Sequence, residues 1–125
     1  MTIRSYQDLK VWQDGMTLAE NCYEITKQLP PSELYGLTSQ IRRAVVSIPA
    51  NIAEGYGRER TGSFIQFLRI AQGSTRELET HLLLTGRLKL LSAEATAPLL
   101  AKCDEISRML RGLIRSLDAK SDKSD

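Results

Sequence analysis

Between Tyr35 and Arg58 the sequence YGLTSQIRRAVVSIPANIAEGYGR sets apolar residues at helical spacing on two sides of one segment. Stepping about 100° per residue from Leu37, the residues Leu37, Ile41, Ala44, Val45, Ile48 and Ile52 gather within roughly 100°, the width of a core-facing stripe. The opposite side collects Ser39, Val46, Ala50 and Ala53, small or apolar, flanked by Arg42 and Arg43. A helix with apolar character on both sides needs two partners. This one is predicted to pack in a bundle and to serve in assembly, with Arg42, Arg43, Val46, Ala50 and Ala53 as the candidate subunit interface. Pro49 falls inside the pattern, where it cannot donate to the Val45 carbonyl and its ring crowds that group. Because the periodicity resumes at Ile52, the reading is one kinked helix, beginning near Leu34 to Leu37. Ser47 can satisfy backbone groups freed at the bend. Gly55-Tyr56-Gly57-Arg58 stops the helix, with Gly55 or Gly57 expected as its left-handed C-terminal residue.

Three more helical patterns surround this one. Ser5 caps a helix predicted over Tyr6 to Gln28, stopped by Pro30-Pro31. It carries two adjacent stripes, Leu9, Trp12, Met16, Ala19, Tyr23 and Thr26 beside Val11, Leu18, Cys22, Ile25 and Leu29, and so predicts one broad buried face. Trp12 reads as core or interface packing rather than a stacking platform for bases. Gly15 inside this helix signals either close helix contact or simple tolerance of its cost, about 1 kcal/mol against alanine. A third helix opens at Thr61 or Ser63 and continues to about Lys89, with Phe64, Phe67, Leu68, Ala71, Thr75, Leu78, Leu82 and Thr85 inward. Ser92 caps a fourth, with Glu94 in its first turn and Leu99, Cys103, Ile106, Leu110, Leu113, Ile114 and Leu117 inward. Four helices on short links predict an all-α, antiparallel up-down bundle. The single domain spans 1–117, and the aperiodic DAKSDKSD of Asp118 to Asp125 is expected to be a disordered polar tail.

Charge enters through distribution rather than sum. Seventeen basic residues against fifteen acidic leave only +2, yet eleven of the cations are arginine, the side chain suited to forked contacts with phosphate or carboxylate. On the third helix Arg69, Arg76 and Arg87 fall within about 20° of one another on the wheel. On the fourth, Arg108, Arg111 and Arg115 repeat at i, i+3 and i+7. These six are the candidate nucleic-acid-binding residues. The competing account is a solvated face with local ion pairs, Glu77 and Glu79 lying close to the first set and Asp104 pairing with Arg108.

Catalytic chemistry finds no foothold. His81 is the only histidine, so neither a His-x-x-x-His metal pair nor a triad with a second histidine can be assembled; it reads as a surface or interface residue. Glu54 is expected to pair with Arg43 or Arg58. The Gly55 to Arg58 turn lacks both the GxxxxGK pattern and a strand followed by GxGxxG that would cradle a phosphate. Glu20, Glu24, Glu54, Glu77 and Glu79 are scattered without a Glu-x-x-His motif. Cys22 and Cys103, on apolar stripes of different helices, read as buried thiols. No catalytic residue, cofactor or metal is expected. No apolar run approaches the ~20 residues of a membrane span, and the first residues lack the apolar core of a signal peptide, so the protein is expected to be cytoplasmic with no membrane partner.

The segment YGLTSQIRRAVVSIPANIAEGYGR, preceded by YQDLKVW at Tyr6 to Trp12, resembles the four-helix-bundle family of 23S rRNA intervening-sequence proteins, whose relatives include accessory proteins of diversity-generating retroelements. The likeness runs from about Tyr6 to Leu117. It implies a homo-oligomeric ring, often a pentamer, without known catalytic residues, and its retroelement relatives imply association with RNA or DNA and with a reverse transcriptase. Two functions follow as expectations: a nucleic-acid-binding or ribonucleoprotein adaptor, or a protein-protein scaffold whose arginines only solvate the surface.

Overall fold

The computed structural model describes residues 2–124, with side chains from 2 to 120. Four helices make the chain an all-α bundle: α1 (Lys10–Thr26), α2 (Ser39–Tyr56), α3 (Thr61–Arg87) and α4 (Ala93–Ser124). They run up and down in turn, each packing on its chain neighbours, and α4 closes the bundle against α1.

The first helix is shorter than Tyr6 to Gln28. Ser5 does cap, but it caps a single 3-10 turn over Tyr6–Asp8, accepting from the Gln7 amide at 3.0 Å while the Asp8 carboxylate accepts from the Ser5 amide at 3.2 Å. Leu9 then turns extended, with ψ of 123°, and α1 begins at Lys10. Of the two adjacent stripes, the core takes Val11, Leu18, Cys22, Ile25 and Leu29. Met16 and Tyr23 from the other stripe are exposed, while Trp12 is half-buried with its ring edge-on to Tyr6, centroids 5.3 Å apart. The position of Gly15 decides its role: a Cβ there would lie 3.4 Å from Pro49 Cδ and 3.5 Å from Ile48 Cγ2. It is a contact point between α1 and the proline of α2.

The chain enters α2 through a 3-10 turn, Pro31–Glu33, and a wide π-type turn, Leu34–Thr38. Gly36 sits in it at φ −111° and ψ −113°, outside helical geometry, and the Glu33 carboxylate caps the Leu37 amide at 3.1 Å. A side chain at Gly36 would meet that carboxylate oxygen at 2.7 Å. From Ser39 the helix runs as one element through Pro49, which is buried. Ser47 does not serve the backbone as expected; its hydroxyl meets Ser74 of α3 at 2.7 Å and accepts from Asn51 at 2.9 Å.

The stop after α2 differs from expectation in mechanism. Neither Gly55 nor Gly57 is left-handed; Gly57 caps the helix at φ −71°. Gly55 instead permits close approach, since a Cβ there would lie 2.6 Å from Phe67 Cβ and 3.0 Å from Phe64 Cδ1. Tyr56 stands edge-on to Phe64, and the Arg58 guanidinium lies 5.1 Å over the Phe67 ring. Phe64 and Phe67 thus line the α2–α3 corner rather than the centre, which takes Ile65, Leu68, Ala71, Thr75, Leu78, Leu82 and Thr85 from α3.

The left-handed cap occurs one helix later, at Lys89, with φ 63°. The Leu90 amide donates to the Thr85 carbonyl at 2.9 Å and the Lys89 amide to that of Gly86 at 3.0 Å, the paired bonds of a Schellman end. Ser92 caps α4 through the Ala95 amide at 3.1 Å. That helix does not stop at Leu117. It continues through Asp118 and Lys120, residues assigned above to an unstructured tail, because nothing there is a glycine or proline to break it.

Candidate nucleic-acid interface

The outward faces of α3 and α4 carry the six candidate arginines, all exposed. The fold brings only some of them together. Arg69 and Arg76 from α3 meet Arg111 from α4 along a groove of about 360 Å³, completed by Gln72, Gly73 and Ser107. The two α3 arginines are two turns apart on one face, and the side-by-side packing of α4 supplies the third cation. Arg87 shares their direction on the helix but lies eleven residues beyond Arg76, roughly 16 Å along the axis, in an apolar notch with Leu83, Leu84 and Leu88. Arg108 lies in a separate hollow with Ala101, Glu105 and Met109. Arg115 is exposed one turn beyond Arg111.

Acidic partners occupy half of this set. Arg76 donates to Glu79 at 2.7 Å, Arg108 to Asp104, and Arg69 stands 3.9 Å from Asp118. The first two were legible as i, i+3 and i, i+4 pairs, whereas the Arg69 contact joins two helices. Arg87, Arg111 and Arg115 have no carboxylate partner among the described residues. Exposed pairs of this kind contribute little and are screened by salt, so they leave the arginines available to a stronger anion.

The candidate interface on α2 divides in two. Val46 is 43% exposed and Ala50 is exposed, with Ala53 half-buried beside them. The Ser47–Ser74 contact sets the α2–α3 register, and one turn along α3 on the same side lies Ile70, 48% exposed. Ile70 belongs to no inward stripe of α3. Arg42 is committed within the chain: its Nε donates to Thr26 Oγ1 at 2.9 Å and its guanidinium lies 4.6 Å over the Tyr23 ring. A cation there also meets the negative end of α1. Arg43 remains exposed, bonded to Gln40 at 3.2 Å. Tyr35, at the start of the same region, is 92% exposed.

Residues with reactive side chains are placed quietly. Cys22 and Cys103 are buried, and desolvation pushes both thiols up to about 12, with each other's proximity adding to the rise at Cys103. His81 is half-buried against Glu77, Nε2 to Oε2 3.2 Å. Glu54 pairs with Arg58 at 3.3 Å. Among the described residues no group of three or more His, Cys, Asp or Glu is placed to hold a metal, and no helix is long and apolar enough to cross a membrane.

Compared with known families, residues 7–112 match the one described as 23S rRNA-intervening sequence protein. Among solved structures the chain is similar to a protein of unknown function from the S23 ribosomal protein family of Bacteroides thetaiotaomicron VPI-5482. The two share 27% identity at a TM-score of 0.78, over 83% of this chain and 97% of that one. No curated protein matches the sequence.

Proposed function

The chain belongs to the 23S rRNA-intervening sequence protein family, and from that premise we propose that it is a non-enzymatic, cytoplasmic, ring-forming protein that binds nucleic acid as a ribonucleoprotein adaptor. The observation that carries this reading is the convergence of Arg69, Arg76 and Arg111 on one groove, while the exposed small and apolar patch lies on α2. Binding and assembly therefore use different surfaces. A head-to-tail interface through Val46, Ala50 and Ala53 closes into a ring where its rotation permits, five copies by the resemblance. A chain of net charge +2 then presents its arginines several times over, and repetition raises avidity without any new contact.

Recognition in this scheme is of backbone rather than base. The arginines offer forked donors to phosphate, and among the described residues no finger, recognition helix or exposed aromatic pair accompanies them to read base edges. A reverse transcriptase or another protein would join through the remaining surface. The scaffold reading rests on the ion pairs of Arg69, Arg76 and Arg108, which give those side chains a sufficient role without nucleic acid.

Titration of labelled RNA and DNA of several sequences at two salt concentrations separates the two. The adaptor reading predicts similar affinity across sequences, steep weakening with salt, and weaker, less salt-dependent binding by the Arg69/Arg76/Arg87 triple glutamine variant. No binding by the wild type, or binding insensitive to salt, favours the scaffold.

A further inference from the structure

Resting on the nucleic-acid reading above, we propose that the groove between α3 and α4 seats a phosphate group of the nucleic-acid backbone, with Arg69, Arg76 and Arg111 around it and the Ser107 hydroxyl as a donor from its floor. Ser107 is 3% exposed, and its Oγ is buried with no hydrogen-bond partner among the described residues. Helical hydroxyls elsewhere in this bundle fold back on the preceding turn, as Thr26 does to the Cys22 carbonyl and Thr75 to that of Ala71, both at 2.8 Å. Ser107 makes no such bond. A buried hydroxyl left unpaired is unfavourable, and this one belongs to a residue that lines the arginine groove.

The rest of the groove matches an anion in charge and shape. Arg111 has no carboxylate partner among the described residues, Arg69 holds Asp118 only at 3.9 Å, and Arg76 has one nitrogen on Glu79, leaving further N–H donors of its fork. Three cations facing two carboxylates leave one positive charge, the complement of one phosphodiester. Gly73 opens the α3 wall, since nothing lies within 4 Å of where its Cβ would stand. Phosphate oxygens accept several hydrogen bonds at once, so one group can take both an arginine fork and a hydroxyl.

Two variants test the seat without altering charge. Ser107→Ala removes the donor, and Gly73→Leu places a side chain in the open wall. Binding of a short single-stranded RNA should weaken about tenfold or more in each, in the first by loss of a hydrogen bond to a charged group and in the second because the leucine occupies the space of the phosphate. Both should melt at or above the wild-type temperature, because one loses an unpaired hydroxyl and the other a helical glycine. Arg111→Gln, on the surface, should weaken binding and flatten the plot of log affinity against log salt by roughly 0.7. Salt-dependent RNA binding that is unchanged in all three variants overturns the groove and leaves the adaptor reading intact. Absence of RNA binding by the wild type overturns both. Poly-glutamate that binds as well as RNA, and is weakened by the same variants, overturns phosphate as the occupant.

Discussion

Adding one methyl group at Gly55 should destabilise the bundle, although Gly55 lies inside a helix where alanine is ordinarily the better residue. The new Cβ would stand 2.6 Å from Phe67 Cβ, 3.0 Å from Phe64 Cδ1 and 3.3 Å from the Phe64 carbonyl oxygen. Carbon atoms at ease keep about 3.5–4.0 Å apart, so α2 and α3 must separate by roughly 1 Å at this corner. Two of the three clashing atoms, a Cβ and a backbone oxygen, cannot rotate away. Overpacking costs about 1–3 kcal/mol, and a contact this short against atoms that cannot move falls in the upper part of that range, about 2–3 kcal/mol, while replacing a helical glycine returns about 1 kcal/mol. The net expectation is a loss of about 1–2 kcal/mol. At about 2.1 cal/mol/K of unfolding entropy per residue, each kcal/mol moves the melting temperature of a chain this long by roughly 4 °C, so Gly55→Ala should melt about 4–8 °C lower. Gly112→Ala is the control, because nothing lies within 4 Å of its added Cβ, and it should gain about 1 kcal/mol. Calorimetry of the three proteins decides. A Gly55→Ala protein as stable as the wild type would refute close helix approach as the reason for that glycine.

Lys89→Gly should stabilise by about 1 kcal/mol, because the left-handed position that ends α3 disfavours any residue with a Cβ; an unchanged denaturant midpoint would contradict the Schellman geometry. Cys22 and Cys103 should resist iodoacetamide at pH 8 and react on unfolding, as read by mass spectrometry. Their folded thiols are held protonated up to about 12, above the unfolded value, so the contribution is fully present below about pH 9 and is lost as pH rises towards 12.

Much of this fold is legible because local and tertiary preferences agree. Helix periodicity, the Ser92 cap and the Pro30-Pro31 break place four helices, and the inward stripes of α2 and α4 read directly. Helix α1 is the instructive exception. Its two stripes are neighbours on the wheel, and only the positions of α2 and α4 decide that Val11 and Leu18 turn inward while Met16 and Tyr23 face out. Gly55 misleads for a similar reason, since glycine before a turn signals a left-handed cap and only the Phe64–Phe67 corner shows that space was the requirement. The arginines were visible as single-helix stripes. What periodicity cannot convey is that Arg69 and Arg76 share a groove with Arg111 and Ser107, whereas Arg87 lies beyond its end, because that depends on how α3 and α4 are set side by side.

Sedimentation velocity, with fluorescent single-stranded RNA followed in the same run, tests the proposed ring-forming adaptor most directly. At low salt the wild type should sediment as a closed oligomer that carries the RNA with it. Ala50→Arg, which places a charge in the exposed α2 patch, should sediment as a 14.0 kDa monomer and leave most of the RNA behind. A wild type that sediments as a monomer at micromolar concentration, or RNA that travels at its own rate beside an intact ring, would contradict the account.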